Sequence, residues 1–142
     1  PFIFLFLFFI QIIVGAFVSG MDAGKIYNSW PLMDSTYFPN DSNFRDLFRL
    51  SAFSDPSLVQ FMDRNLAYLI TIFYVFIFFK IYKNRLVNLY RTVNILGLFI
   101  ILQIILGIFT VIYGAQIYIA AMHQLSSIFL VSSSLYFFYK NT

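Results

Sequence analysis

The chain has 142 residues, of which 61% are hydrophobic and 11% charged, with a formal net charge of +3. Soluble domains carry about 25% charged residues, so a water-facing surface cannot be assembled, and neither a soluble enzyme nor a nucleic-acid-binding domain is expected. There is no cysteine, which excludes disulfides and thiolate metal sites.

Crossing the hydrocarbon takes roughly 20 apolar residues per helix, and four stretches meet that length. They run approximately from Pro1 to Ser19, Leu58 to Phe79, Val93 to Tyr113 and Ile117 to Tyr139. The expected class is an all-α integral membrane protein whose four transmembrane helices form a bundle as two hairpins. The first stretch starts at Pro1 without an initiator Met or a basic leader. It reads as a membrane helix rather than a signal peptide, and the sequence as part of a longer protein.

The connection 20–57 carries Asp22, Asp34, Asp41, Asp46 and Asp55 against Lys25, Arg45 and Arg49. Its prolines, Pro31, Pro39 and Pro56, exclude a continuous helix. Phe44, Leu47, Phe48 and Ser51 fall at helical spacing and predict a short amphipathic helix in the interface. Tyr27 and Trp30 suit the headgroup level. The connection 80–92 instead holds Lys80, Lys83, Arg85 and Arg91 with no acid. Basic loops stay on the cytoplasmic or matrix side, so 80–92 and the C-terminus are expected inside, with 20–57 outside.

The second hairpin repeats the first. Gln11-Ile12-Ile13-Val14-Gly15 matches Gln103-Ile104-Ile105-Leu106-Gly107, and Phe61-Met62-Asp63-Arg64 stands against Ala121-Met122-His123-Gln124. The offsets differ because only the first hairpin has a long outer loop. Duplication of a helical hairpin explains both matches. Gln11, Gly15 and Ser19, and equally Gln103, Gly107, Thr110 and Gly114, read as stripes of close helix packing with a Gln hydrogen bond across the interface.

His123 is the single histidine. An ionisable group at membrane depth is a functional candidate, and neutral imidazole is a common metal ligand; a buried interhelical hydrogen bond is the plainer alternative. Asp63 holds the equivalent place in the first hairpin. Arg64 lies about 100° around the helix from it, an imperfect partner that could face headgroups or the carboxylates of a cofactor. The two positions suggest one site between the second and fourth helices.

The run Gly20-Met21-Asp22-Ala23-Gly24-Lys25-Ile26-Tyr27-Asn28-Ser29-Trp30-Pro31-Leu32-Met33-Asp34 resembles the signature after the fifth helix of heme A synthases, in the branch shared by mitochondria and their bacterial relatives. Val59-Gln60-Phe61-Met62-Asp63-Arg64 resembles the family's Val-Gln-Phe-x-His-Arg, and Ala121-Met122-His123-Gln124 its His-Gln motif. The likeness covers essentially the whole chain and corresponds to the C-terminal four-helix half of an eight-helix protein.

The resemblance implies an oxidoreductase of heme A biosynthesis, converting the C8 methyl group of heme O to a formyl group. The C-terminal half would hold a heme b cofactor (iron), with His123 as axial ligand and Arg64 at a propionate. Heme O would bind in the N-terminal half, with the acidic residue important for catalysis, so this half alone would be inactive. The implied partners are heme O and heme A, the lipid bilayer, heme O synthase and cytochrome oxidase assembly factors; a homo-oligomer stays open. The implied place is the bacterial inner membrane or the mitochondrial inner membrane. Asp63 departs from the pattern, since the family has its second axial His there and a carboxylate is a poor axial ligand for low-spin heme iron. A non-catalytic heme-binding or electron-transfer module and a heme-free assembly partner remain as rival readings.

Overall fold

The computed structural model describes residues 2–141. Pro1, included in the first expected helix, and Thr142 lie outside the described residues. Four helices follow in chain order: α1 (Phe2–Gly20), α2 (Pro56–Lys83), α3 (Val87–Ile112) and α4 (Ile117–Asn141). All four are long and apolar enough to cross a membrane. Among the described residues no strand forms, only an isolated bridge between Met33 and Thr36.

The helices outrun the hydrophobic stretches at the ends joined by residues 84–86, called inner after the charge-based expectation, with the opposite ends called outer. The expected 80–92 connection shortens to Asn84-Arg85-Leu86, with Arg85 at φ 52° making the turn. Lys80 and Lys83 therefore end α2, where cations favour the helix dipole, and Arg91 sits in the first turns of α3. Helical hydrogen bonding continues past the apolar stretches because it satisfies the backbone within the segment itself, whatever surrounds it. At the outer side, α3 turns directly into α4 through Gly114 and Ala115, at φ 62° and 55°.

The predicted amphipathic helix is replaced by two short 3₁₀ segments, Phe44–Phe48 and Leu50–Ser54. Arg49, extended at φ −105° and ψ 150°, interrupts them. Of the apolar residues whose spacing motivated the prediction, Phe44 and Phe48 are exposed, the latter at 80%. Trp30 is exposed, whereas Tyr27, also expected at the headgroup level, is buried beneath the loop. Its hydroxyl donates to Asp41 (2.9 Å).

Within the bundle α1 packs on α2 and α3 on α4, and the hairpins meet through α2–α3 and α1–α4. The inner half is an apolar core of Phe4, Phe8, Ile70, Val93, Leu96, Leu130 and Phe137 among others. Gly97 permits the closest approach there, because a Cβ on it would stand 2.0 Å from the Tyr74 hydroxyl. That hydroxyl donates to the Val93 carbonyl (3.1 Å). Small hydroxyl residues such as Thr92, Ser133 and Ser134 are buried beside this core and bond to their own helices, whereas Gln11, Asp63, Gln103 and His123 lie in the outer half.

The outer loop is fastened at both ends. Asp55 caps α2 by accepting from the Ser57 and Leu58 amides (2.9 and 3.3 Å), with Pro56 in the first turn. Asp41 accepts from the hydroxyls of Ser57 (2.6 Å) and Tyr27. Asn28 donates to the Gly24 carbonyl and across to Val111 at the end of α3 (3.0 Å). The loop therefore ties the two hairpins together at their outer ends.

Candidate functional site

Gln11, Asp63, Gln103 and His123 lie roughly 9–14 Å below the outer ends of their helices, at 1.5 Å per residue. The hairpin repeat predicted from sequence is a repeat of contacts. In the second hairpin the Gln103 amide nitrogen donates to the His123 carbonyl (3.2 Å) and lies 3.3 Å from His123 Nε2. In the first, the Gln11 amide nitrogen donates to the Asp63 carbonyl (3.3 Å) and to Asp63 Oδ1 (2.7 Å). One turn along each Gln-bearing helix is a glycine facing the same side chain. A Cβ on Gly107 would meet His123 Cε1 at 3.2 Å, and one on Gly15 would meet Asp63 Oδ1 at 3.8 Å.

Close helix packing with a Gln hydrogen bond, the plain expectation for these stripes, holds at Gln11 and Gly15 and at Gln103 and Gly107; Gly114, placed in the same stripe, lies beyond α3 in the turn at φ 62°, and Thr110 donates to Leu106 of its own helix. Sequence reasoning missed the recipient of that bond, which in each hairpin is the candidate site residue itself. The signal was available in the shared order of the motifs, Gln-x-x-x-Gly on one helix and the polar residue on the next.

The hairpins differ at one further position. Ser126 donates to Gln103 Oε1, and its hydroxyl also lies 2.9 Å from the His123 carbonyl. The residue in the same relation to Asp63 is Leu66, and Gln11 Oε1 is buried without a partner. His123 Nδ1 is likewise buried and unpartnered. Among the described residues no hydrogen bond or ion pair joins Asp63 to His123, so each is held within its own hairpin. No group of three or more metal-ligating side chains gathers among the described residues.

Arg64 forms no ion pair with Asp63 among the described residues and turns into the loop. It is 8% exposed, and its terminal nitrogens donate to the loop carbonyls of Ser29 (2.9 Å), Leu32 (3.3 Å) and Tyr27 (3.0 Å). Gln60, one turn earlier, donates to the same Tyr27 carbonyl (3.0 Å). Arg64 Nε, buried, has no partner. The guanidinium thus clamps the outer loop over the end of the bundle.

Residues 1–135 match the family described as cytochrome oxidase assembly protein. The chain belongs to that family. Among curated relatives of this assembly-protein family, the heme A synthase of Pelagibacter ubique is 42% identical over 97% of this chain and 42% of its own length. That of Wolbachia pipientis wMel is 44% identical over 95% of this chain and 37% of its own. That of Flavobacterium johnsoniae is 37% identical over 89% and 38%. The likeness to heme A synthases read from the motifs is borne out. The chain spans about two-fifths of the length of these relatives. No solved structure matches it significantly.

Proposed function

We propose that this chain forms the heme b-holding, C-terminal half of a heme A synthase, with His123 as an axial ligand of the cofactor iron. The activity would be oxidation of the C8 methyl of heme O to the formyl group of heme A, serving terminal oxidase assembly. Turnover would need the other half, where heme O binds. The supporting observation is the seat of His123: its ring stands against Gly107 with Nδ1 buried and Nε2 only 3.3 Å from the Gln103 amide, a neutral amide contact that iron at Nε2 would displace.

The side chains fit a heme held through one protein ligand. Neutral imidazole is a good axial ligand, and heme brings four nitrogen donors of its own, so no cluster of protein ligands is required. Asp63 does not fit as a second ligand, because a carboxylate serves low-spin iron poorly and Oδ1 already accepts from Gln11. The bound heme would supply one-electron transfer, with its ligands and surroundings setting the potential.

The chain's own residues would bind and orient the group. His123 supplies the ligand, Gly107 leaves room for its ring, and Arg64 Nε offers a donor to a propionate while the rest of the guanidinium holds the loop. The loop in turn shields the outer end from water. The charge distribution supports an inner-membrane orientation with residues 20–57 outside. Heme O synthase and oxidase assembly factors would be the protein partners.

The test is the heme content and absorption spectrum of the full-length protein beside His123→Ala and Asp63→His. His123→Ala should lose the heme of this half, and Asp63→His should convert the spectrum to low-spin bis-His. Unchanged spectra in both variants would refute the assignment of His123 and of the Asp63 perturbation.

A further inference from the structure

The Gln-x-x-x-Gly motif does more than pack helices. We infer that it is a seat for the polar side chain of the facing helix, and that Gln103 is a positioning residue which fixes the tautomer of His123 with the proton on Nδ1. The significance for a cofactor rests on the role proposed for His123, whereas the hydrogen bonds do not.

The orientation of Gln103 follows from its partners. The His123 carbonyl can only accept, so the atom 3.2 Å from it must be the amide nitrogen. Turning the amide over would set Oε1 against that carbonyl and lose the Ser126 hydroxyl as a donor to Oε1. The same nitrogen has a second hydrogen and lies 3.3 Å from His123 Nε2. Nε2 must then be the acceptor, which leaves the proton of the neutral ring on Nδ1. A metal or any other electrophile reaching Nε2 has to displace the amide first.

The first hairpin supports this reading independently. Gln11 makes the same pair of contacts, to the backbone carbonyl and the side-chain acceptor of Asp63. Two different side chains are thus received by one motif in the same way. The Gln reads an acceptor on the facing side chain and the Gly leaves space for it. The difference at Ser126 and Leu66 explains why, of the two seat glutamines, Gln11 and not Gln103 has an orphaned oxygen.

The experiment is ¹⁵N magnetic resonance of histidine-labelled full-length protein in bilayers, prepared without heme, with His123 assigned by loss of its signals in His123→Phe. The wild type should show Nδ1 protonated and Nε2 as a hydrogen-bonded acceptor. Gln103→Leu should remove the Nε2 hydrogen-bond shift and end the dominance of the Nδ1–H form, with helix content retained. Ser126→Ala, which frees the amide but leaves its bond to the ring possible, should give a smaller shift in the same direction. If Gln103→Leu does not fold, the Ser126→Ala spectrum decides. A wild-type ring protonated on Nε2, or a folded Gln103→Leu with the wild-type spectrum, would overturn the proposal. Heme loss in His123→Ala is read separately, so failure of the heme assignment and failure of this one are distinguishable.

Discussion

Adding one methyl group to each seat separates the two hairpins. Alanine at a helix-interior glycine stabilises by about 0.8–1.0 kcal/mol through helix propensity. At Gly15 the new Cβ would lie 3.8 Å from Asp63 Oδ1, an ordinary contact, so Gly15→Ala should keep that gain. At Gly107 it would lie 3.2 Å from His123 Cε1, and the ring must give way. The ring is held by the Gln103 amide, and overpacking of this kind costs about 1–3 kcal/mol. Gly107→Ala should therefore range from break-even to a loss of about 2 kcal/mol on the same scales. The difference between the substitutions is about 1–3 kcal/mol, or five- to over a hundredfold in the unfolding equilibrium. Equilibrium unfolding in mixed micelles of mild and denaturing detergent measures it. In an Asp63→His background the imidazole would fill the space at Gly15, and the advantage of Gly15→Ala should disappear. Equal effects of the two glycine substitutions, or additivity of Gly15→Ala with Asp63→His, would refute the reading of these glycines as seats.

Arg64→Gln should release the outer loop. Its three guanidinium–carbonyl bonds, worth about 1.5–3 kcal/mol each at most, go to Tyr27, Ser29 and Leu32. Limited proteolysis should then cut residues 26–40 several times faster, with the helices uncut. Gly97→Ala should destabilise by about 1–3 kcal/mol from overpacking, since its Cβ would overlap the Tyr74 ring; thermal unfolding would show Tyr74→Leu restoring part of the loss. The loop should also carry a pH signature. Donation from Ser57 above all, and from Tyr27, holds the Asp41 carboxyl below the usual range although burial opposes it. Its contribution is full above the ordinary carboxylate value and is lost as pH falls through the lowered one. Tyr27 is raised, chiefly by burial and then by its bond to Asp41; its contribution is present below about pH 10 and lost as pH rises through the raised value. Hydrogen exchange across residues 20–57 should be protected between these limits, and Asp41→Asn should weaken that protection and remove its acid limb.

Much of this protein was legible before folding. Apolar runs long enough to span a membrane can be satisfied only as helices, so the four spans follow from composition and length alone. The hairpin repeat was legible in Gln11–Gly15 against Gln103–Gly107, because a duplicated contact preserves the residues that make it. The inner helix ends were not, since Lys80, Lys83 and Arg91 are as compatible with a loop as with helix beyond the hydrocarbon. The 44–51 segment kept its apolar exposure but lost its α-helix, for a helical spacing of side chains does not by itself provide the hydrogen bonds of a stable turn.

The sequence alone determined that one polar residue sits at matching depth in each hairpin, and that one is His123 and the other Asp63. Only the tertiary structure decided what holds them. Periodicity places a residue on a face of its own helix and is silent on which atom of a neighbouring helix comes within 3.5 Å. Arg64 as clamp of the loop, Gly107 as room for a ring and Gln103 as partner of His123 all depend on that distance. They emerge when the two helices and the connection of each hairpin pack on one another.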